Sequence, residues 1–439
     1  MSEPFALINA QIPFGTSGDA AEVDRTIVVG SAGSIEVVGP TEQVRVPPGY
    51  RILDVSGSFV LPGLINAHAH LFADGKPLPP VLLNERAQGV VQLVGHSPLG
   101  KLIFKRRTKT NVITQLNSGV TTLRSVGDVG YEVVAVAEEI DAGKYVGPRI
   151  LPSGPLLAIT GGHGAPQIAL TGDSPWDHRR NARKNRQRGV KAMKISATAG
   201  VTDARAVGYA GRPEMTEEEM TAICEEAHVA GIRVAAHAQG SEGIRRALRA
   251  GVDTIEHGAD MTPEIIELFG DNPRSLTGRS ALIPTMMACL PLVRLDRSVT
   301  GITEVVRANA ELAWERMLQG ISAAREHGIA IGMGTDSALT YATHYNAWRE
   351  LDFLTRYGEL SPTEVLTAAT RTNAEILGID DVTGTIEVGK AADLVVLESD
   401  PLDGFTAFKD PKLVIAGGTI IDHPSVSRFD ELDAMLDGC

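Results

Sequence analysis

The chain has 439 residues, of which 43% are hydrophobic, and a formal net charge of -13 at pH 7. This length and composition suffice to bury a large core and to leave material for a second, smaller unit. The negative charge disfavours a general nucleic-acid binder, because nucleic-acid phosphates would be repelled. No apolar run approaches the length of a membrane span and no leader-peptide pattern opens the chain, so we expect a cytoplasmic protein that does not contact membranes.

Short apolar runs that end in a polar residue, each followed by a helical pattern, occur eight times along the chain. They cover residues 59–70, 120–127, 149–154, 191–196, 233–237, 253–257, 281–285 and 329–336. Between them lie stretches with apolar residues at three- and four-residue spacing, such as 216–230. A strand followed by a helix, repeated eight times, predicts an α/β fold of the closed (β/α)8 TIM-barrel type.

The two ends of the chain have a different pattern. Residues 1–58 and 384–439 are rich in short alternating segments, such as Leu413–Gly418. Segments of this kind predict a small β-sandwich to which both termini contribute. We therefore predict a composite β-sandwich domain of 1–58 and 384–439 and a barrel domain of 59–383.

Polar side chains stand where several of the barrel runs end. His68 and His70 are two residues apart in the first run, so in a strand both would point to the same face and could reach one metal ion. The fourth, fifth, sixth and eighth runs contribute Lys194, His237, His257 and Asp336. Because the carboxyl ends of barrel strands converge on one mouth, we expect all six side chains to lie close together.

Each of these residues also has a simpler interpretation. Lys194 could extend its amine into solvent from a strand end. His257 could be a hydrogen-bonded core histidine, and Asp336 could cap a helix. None of these interpretations explains why the polar residues recur at strand ends.

The motifs resemble those of the amidohydrolase superfamily. The resemblance rests on Leu61-Pro-Gly-Leu-Ile-Asn-Ala-His-Ala-His70, Met193-Lys-Ile195, Ala-His-Ala-Gln-Gly around His237, Ile-Glu-His-Gly around His257 and Gly-Thr-Asp-Ser around Asp336. Residues 159–164 and 384–396 look like the branch that contains Xaa-Pro and Xaa-Arg dipeptidases, ochratoxin-type amidases and imidazolonepropionase-like enzymes. The resemblance runs from about residue 59 to the end of the chain.

A protonated lysine cannot bind a metal ion, because it has no lone pair. The resemblance implies that Lys194 is carboxylated by CO2 and bridges two divalent ions, with zinc as the expected metal. One ion would be held by His68, His70, Lys194 and Asp336, and the other by Lys194, His237 and His257. Two such ions would acidify a shared water and polarise an amide carbonyl. Asp336 would be the catalytic residue that carries the proton of this water to the leaving nitrogen.

His163 lies in the glycine-rich stretch Ile159-Thr-Gly-Gly-His-Gly164 and is a candidate for binding the substrate carbonyl or carboxylate. Glycine lets the backbone approach a ligand closely, but a turn with a solvent-facing histidine would fit the same pattern. His344 follows the eighth run and is a second candidate for substrate binding. Met215 stands where the dipeptidase branch often has an aromatic residue, so the resemblance does not decide which substrate is bound.

Three functional hypotheses remain. The first is a binuclear hydrolase that cleaves the amide bond of a dipeptide or an N-acyl amino acid, including ochratoxin-like amides. The second is a deaminase or an imidazolonepropionase-like hydrolase of a cyclic amide with a single metal ion. Gly240 disfavours deamination, because deaminases of the superfamily usually have a glutamate there. The third is a catalytically silent binding relative. The resemblance further implies a homo-oligomer.

Overall fold

The computed structural model describes residues 3–14, 21–77 and 97–439. The strands in chain order are β1 (Phe5–Ile12), β2 (Glu22–Val29), β3 (Ile35–Pro40), β4 (Arg51–Asp54), β5 (Phe59–Pro62), β6 (Leu64–Ala69), β7 (Val120–Ser125), β8 (Arg149–Leu151), β9 (Leu156–Ala158), β10 (Ala169–Thr171), β11 (Ala192–Ser196), β12 (Arg233–Ala238), β13 (Thr254–His257), β14 (Ala281–Ile283), β15 (Leu394–Leu397), β16 (Leu413–Ala416) and β17 (Thr419–Asp422).

The helices alternate with the strands through most of the chain. The α-helices are α1 (Pro98–Asn117), α2 (Glu132–Asp141), α3 (Pro175–Gln187), α4 (Glu217–His228), α5 (Ser241–Ala250), α6 (Pro263–Gly270), α7 (Met286–Arg294), α8 (Arg297–Thr300), α9 (Glu304–Glu326), α10 (Ala347–Arg356), α11 (Pro362–Thr367), α12 (Asn373–Leu377) and α13 (Asp430–Leu436). A π-helix spans Ala368–Thr372, and a 3-10 helix spans Phe405–Lys409. No helix of the described ranges is long and apolar enough to cross a membrane.

Strands from both ends of the sequence form one sheet in the order β17-β16-β15-β5-β1-β2-β3, in which β4 pairs with β1. The strand β15 runs antiparallel to β5, with Leu394 opposite Pro62. One cluster of buried side chains includes Phe5 and Leu7 from β1 together with Leu394 and Ile415 from the other end. The two ends of the chain are therefore packed together.

The first apolar run, predicted as one strand over 59–70, is divided at Gly63. Its first part, β5, belongs to the sheet of the chain ends, and its second part, β6, pairs in parallel with β7. A Cβ atom at Gly63 would lie 2.1 Å from the hydroxyl oxygen of Thr121. The absence of a side chain at Gly63 therefore allows the chain to pass close to β7 as it changes sheets.

The remaining strands form parallel sheets in the orders β6-β7-β8 and β10-β9-β11-β12-β13-β14. All residues of β6, β7 and β11 are buried, as expected for parallel strands that are covered on both faces. Backbone N–H groups of Lys191 and Ala192 donate to the carbonyl of Pro152 and connect the two sheets. The architecture is thus an α/β fold with curled parallel sheets.

The eighth predicted run, 329–336, forms isolated bridges instead of a regular strand. Ile331 pairs in parallel with Leu282 of β14, and Ser337 pairs in parallel with Ala69 of β6. Between these points the Ala67 amide donates to the carbonyl of Met333. The segment therefore lies between β14 and β6 and connects the outer strands of the two parallel sheets.

Candidate metal centre

Asp336 lies against the two histidines of β6 and the residue that follows it. The Nε2 atoms of His68 and His70 are both 3.2 Å from Asp336 Oδ1. The backbone N–H of Asp336 donates to the carbonyl of His68 at 2.9 Å, which fixes the aspartate beside the strand. The structure thus brings together three predicted ligands that are up to 268 residues apart in sequence.

His257 joins this group at the end of β13. His68, His257 and Asp336 each offer a ligand atom, and these atoms lie within 4.8 Å of one another. The backbone of His257 is left-handed, with φ 71°. In a regular strand Glu256 and His257 would point to opposite faces. The left-handed turn allows both side chains to contact the His68 ring, Glu256 by a hydrogen bond and His257 at a centroid distance of 5.2 Å.

His237, at the end of β12, completes the histidine cluster. Its ring centroid is 4.6 Å from that of His257. Burial, followed by the charges of His163, His257 and Lys194, lowers the pKa of His237 well below its usual value. Its ring is therefore neutral and keeps a lone pair at physiological pH.

Among the described residues, two buried atoms at the centre lack a well-formed hydrogen bond, His237 Nε2 and Asp336 Oδ1. The neighbours of Asp336 Oδ1 are the His68 and His70 nitrogens at 3.2 Å, which present lone pairs when Nδ1 carries the ring proton. Leaving a buried polar atom unsatisfied is costly, so such atoms in a folded protein call for a ligand. Imidazole nitrogen and carboxylate oxygen are donors that zinc and related divalent ions accept. The residues at this position therefore fit a divalent metal ion.

Lys194 is buried on β11, where it pairs in register with Ala235 of β12. Burial lowers the pKa of its amine to about 8, while the carboxylates of Glu256 and Asp336 act in the opposite direction. A larger fraction of this amine is neutral near pH 7 than for an exposed lysine. Only a neutral amine can add to CO2, so the environment is suited to carbamate formation.

Glu256 and Arg124 were not assigned a role from the sequence, although both contact the centre. Glu256 Oε2 is 2.5 Å from His68 Nδ1, and Glu256 Oε1 is 2.9 Å from an Arg124 guanidinium nitrogen. Arg124 also donates to the carbonyl of Ala67 and to the hydroxyl of Thr254. Burial would raise the pKa of Glu256, but the charges of Arg124 and His68 lower it on balance. A charged residue inside a buried strand was the signal that would have identified each of them.

Oxygen atoms lie within hydrogen-bonding distance of Nδ1 in two further rings. His70 Nδ1 is 2.5 Å from the carbonyl of Gly127, and His257 Nδ1 is 2.7 Å from the hydroxyl of Thr285. With Nδ1 protonated, each ring would present the lone pair of Nε2. Metal-binding histidines in proteins commonly have such partners.

His163 lies directly beside the histidine cluster. Its ring stacks on His237 with a centroid distance of 4.1 Å and an interplanar angle of 26°. The Nδ1 atom contacts the carboxylate of Asp203, and the backbone N–H donates to Glu214 at 2.8 Å. The side chain remains partly exposed, at 25%. The structure thus places this predicted substrate-binding residue at the edge of the cluster with one nitrogen free of these contacts.

His344 has a different environment. It is buried, its Nδ1 is 3.1 Å from the side-chain amide of Gln115, and its Nε2 is 2.7 Å from the carbonyl of Ala73. Burial lowers the pKa of His344 to about 4. Both ring nitrogens are engaged within the protein, so these contacts give no support to the predicted role in substrate binding.

Comparison with known proteins places these features in a family. The model of the amidohydrolase family matches residues 59–421. Ochratoxinase from Aspergillus niger is 27% identical over 344 residues, which cover 72% of this chain and 68% of that protein. Imidazolonepropionase from Pseudomonas entomophila (strain L48) is 21% identical over 395 residues, which cover 87% of this chain and 89% of that enzyme.

Solved structures show the same relationship. A crystal structure from Bifidobacterium longum, provisionally described as a prolidase, has a TM-score of 0.87 and 46% identity and covers 100% of this chain and 99% of its own. A Xaa-Pro dipeptidase with methionine bound in its active site has a TM-score of 0.79 and 25% identity, with coverage of 95% and 100%. The chain belongs to the amidohydrolase family, as the motifs around the histidines predict.

Proposed function

We propose that this protein is a metal-dependent hydrolase that cleaves the amide bond of a dipeptide or an N-acyl amino acid. The observation that carries the proposal is the convergence of His68, His70, His257 and Asp336, beside His237 and Lys194. Membership of the amidohydrolase family and the likeness to a Xaa-Pro dipeptidase and to ochratoxinase support the choice of bond.

The donor set has enough members for two divalent ions, of which zinc is the expected metal. One ion would be held by His68, His70 and Asp336, and the second by His237 and His257. A carbamate on Lys194 would be a ligand of both ions. It would form when CO2 adds to the neutral amine and one proton is released. When bound, the two ions would lower the pKa of a water molecule and polarise the amide carbonyl.

The protein's own groups would perform the proton transfers and hold the substrate. Asp336 would accept a proton from the attacking water and donate it to the leaving nitrogen, so that the amine departs neutral. Burial would raise the pKa of Asp336, but His68 and His70 lower it well below its usual value, which keeps the carboxylate deprotonated before water attacks. His163 would face the substrate carbonyl or carboxylate with Nε2, which donates a hydrogen bond when the ring is protonated.

The arrangement of the strands supports the predicted barrel. We propose that the parallel strands and the segment 329–337 close into a (β/α)8 barrel, because this segment bridges β14 on one side and β6 on the other. The sheet of the chain ends would belong to the separate composite domain of 1–58 and 384–439, to which β5 adds residues 59–62. A homo-oligomer is also part of the proposal, and light scattering coupled to size-exclusion chromatography tests it.

A second candidate function is the hydrolysis of a cyclic amide at a single ion. The compact group of His68, His257 and Asp336 is sufficient for one ion, and the similarity to imidazolonepropionase extends over 87% of the chain. Deamination is disfavoured further, because a Cβ atom at Gly240 would lie 2.4 Å from the carbonyl oxygen of Gly211. A glutamate at this position would not fit without a backbone shift.

The test is a hydrolysis screen with zinc-loaded protein. The panel contains Xaa-Pro and other dipeptides, N-acyl amino acids, an ochratoxin-like amide and imidazolonepropionate, and the readout is the release of the amine or acid product. The proposal expects turnover of a dipeptide or N-acyl amino acid and none by the Asp336→Asn variant. Turnover of imidazolonepropionate alone would establish the second candidate, and equal activity of the variant would contradict the proposed mechanism.

A further inference from the structure

The N-terminus of α7 has an unusual cap. Helices commonly begin with a Ser or Thr whose hydroxyl accepts a hydrogen bond from a backbone N–H of the first turn. Thr285 stands at this position, but its side chain makes no such bond and its backbone is left-handed, with φ 56°. Its hydroxyl instead lies 2.7 Å from His257 Nδ1.

Glu350 provides the missing cap from another helix. This residue of α10 is fully buried, and its two oxygens accept the backbone N–H groups of Met286 at 2.8 Å and Met287 at 2.7 Å. A carboxylate at a helix N-terminus is stabilised by the exposed N–H groups and by the helix dipole. A buried carboxylate is retained at a cost in desolvation, which these two hydrogen bonds offset in part. Glu350 therefore accepts the hydrogen bonds of the first N–H groups of α7, and the Thr285 hydroxyl is not needed for this purpose.

We propose that Glu350 is a positioning residue for the metal centre, which acts by capping α7 so that the Thr285 hydroxyl is free to accept the Nδ1 proton of His257. This contact fixes the tautomer and the ring orientation of His257, and the Nε2 lone pair is directed to the metal. Without Glu350, the N–H groups of the first turn compete for the hydroxyl. The inference rests on the proposed metal site and extends it to a residue on a helix that contributes no ligand.

The test compares zinc binding by full-length variants at pH 8.5 in a chelator competition assay. Burial raises the pKa of Glu350 to about 8, so the carboxylate predominates at the chosen pH. Because residues that orient a metal ligand typically contribute 10- to 100-fold to affinity, Glu350→Gln is expected to weaken zinc binding at least about 10-fold. Thr285→Val should do the same, and Thr285→Ser should bind like the parent chain.

A double variant separates positioning from general stability. If Glu350 acts through Thr285, the combined Glu350→Gln and Thr285→Val variant binds zinc no more weakly than Thr285→Val alone. Glu219→Gln is the matched control, because Glu219 takes part in a buried capping box on α4 with Thr216. It should lower the melting temperature and leave zinc affinity unchanged. A Glu350→Gln variant that melts earlier but binds zinc normally would overturn the inference.

The inference can still be decided if Glu350→Gln does not fold or if the parent chain binds no zinc. If Glu350→Gln does not fold, normal zinc affinity in Thr285→Val overturns the inference by itself. If the parent chain binds no zinc, the proposed function fails, and NMR of the full chain labelled with 15N-histidine decides the inference separately. A His257 Nδ1–H signal that is lost in both Glu350→Gln and Thr285→Val supports it, and a signal that persists in either variant contradicts it.

Discussion

His68 Nδ1 lies 2.5 Å from Glu256 Oε2, and both side chains are almost completely buried. The contact holds the ring by the nitrogen that faces away from Asp336, while His68 Nε2 is 3.2 Å from that aspartate. Arg124 supports Glu256 from the other side at 2.9 Å. The orientation of a predicted ligand on β6 thus depends on a carboxylate from β13 and a guanidinium from β7.

Glu256→Gln should therefore weaken metal binding although Glu256 is not in the predicted ligand set. The amide cannot both accept from His68 and balance the buried charge of Arg124. We expect zinc affinity to fall about 10- to 100-fold, as measured by chelator competition. Glu242→Gln is the control, because Glu242 pairs with Arg245 and Arg246 on the surface of α5. If both variants retained the parent affinity, the orienting role of Glu256 would be excluded.

The convergence of these side chains could be predicted because strand periodicity and the position of polar residues at strand ends are local properties. The two-residue spacing of His68 and His70 and the place of Asp336 at the end of an apolar run indicated that these side chains meet, while the ligand set was implied by the resemblance to the amidohydrolase superfamily. The division of the first run at Gly63 was missed, since it depends on the approach of Thr121 from another strand. Local patterns do not encode such contacts.

The residues that contact the predicted ligands could not be predicted from the sequence either. Glu256 stands next to His257, where strand alternation would place it on the opposite face, and only the left-handed backbone of His257 reveals that both contact His68. The contact of Glu350 with α7 joins residues 63 and 64 positions apart. For His344, the predicted role was inferred from its position after the eighth run, which does not reveal the contacts of a buried ring.

Reconstitution of metal-free protein should depend on bicarbonate and on pH. The neutral Lys194 amine is the form that reacts with CO2, and its pKa is about 8. Its neutral fraction therefore rises roughly 25-fold between pH 6.5 and pH 8.5. Recovery of activity after addition of zinc should be slow without bicarbonate and, at a fixed concentration of dissolved CO2, faster at the higher pH. The Lys194→Ala variant should not recover, and a rate independent of bicarbonate would argue against the carbamate.

Asp336→Asn should abolish turnover and leave the fold intact. The amide cannot accept the proton of the attacking water, and proton transfer of this kind contributes about 10²- to 10⁴-fold to the rate. We expect a loss of at least this size in kcat with a dipeptide or N-acyl amino acid substrate. An unchanged far-ultraviolet circular dichroism spectrum is the control for folding. Near-normal kcat would show that another group transfers the proton.

Gly63→Ala should destabilise the protein. The added Cβ would lie 2.1 Å from Thr121 Oγ1, so β6 and β7 would have to separate. Overpacking of this kind typically costs about 1–3 kcal/mol in the free energy of unfolding. Denaturant unfolding measures the change, with Gly270→Ala as the control, because a Cβ atom at Gly270 would have no atom within 4 Å. Equal stability of the two variants would show that the strands do not constrain residue 63.

The proposed mechanism requires that six side chains hold two divalent ions and that these ions are needed for catalysis. The most direct measurement is elemental analysis of the purified, active protein in parallel with its specific activity, before and after removal of metal by a chelator. We predict two zinc or related divalent ions per chain, loss of activity as they are removed and recovery when they are restored. Full activity in protein that contains no transition metal would contradict the claim.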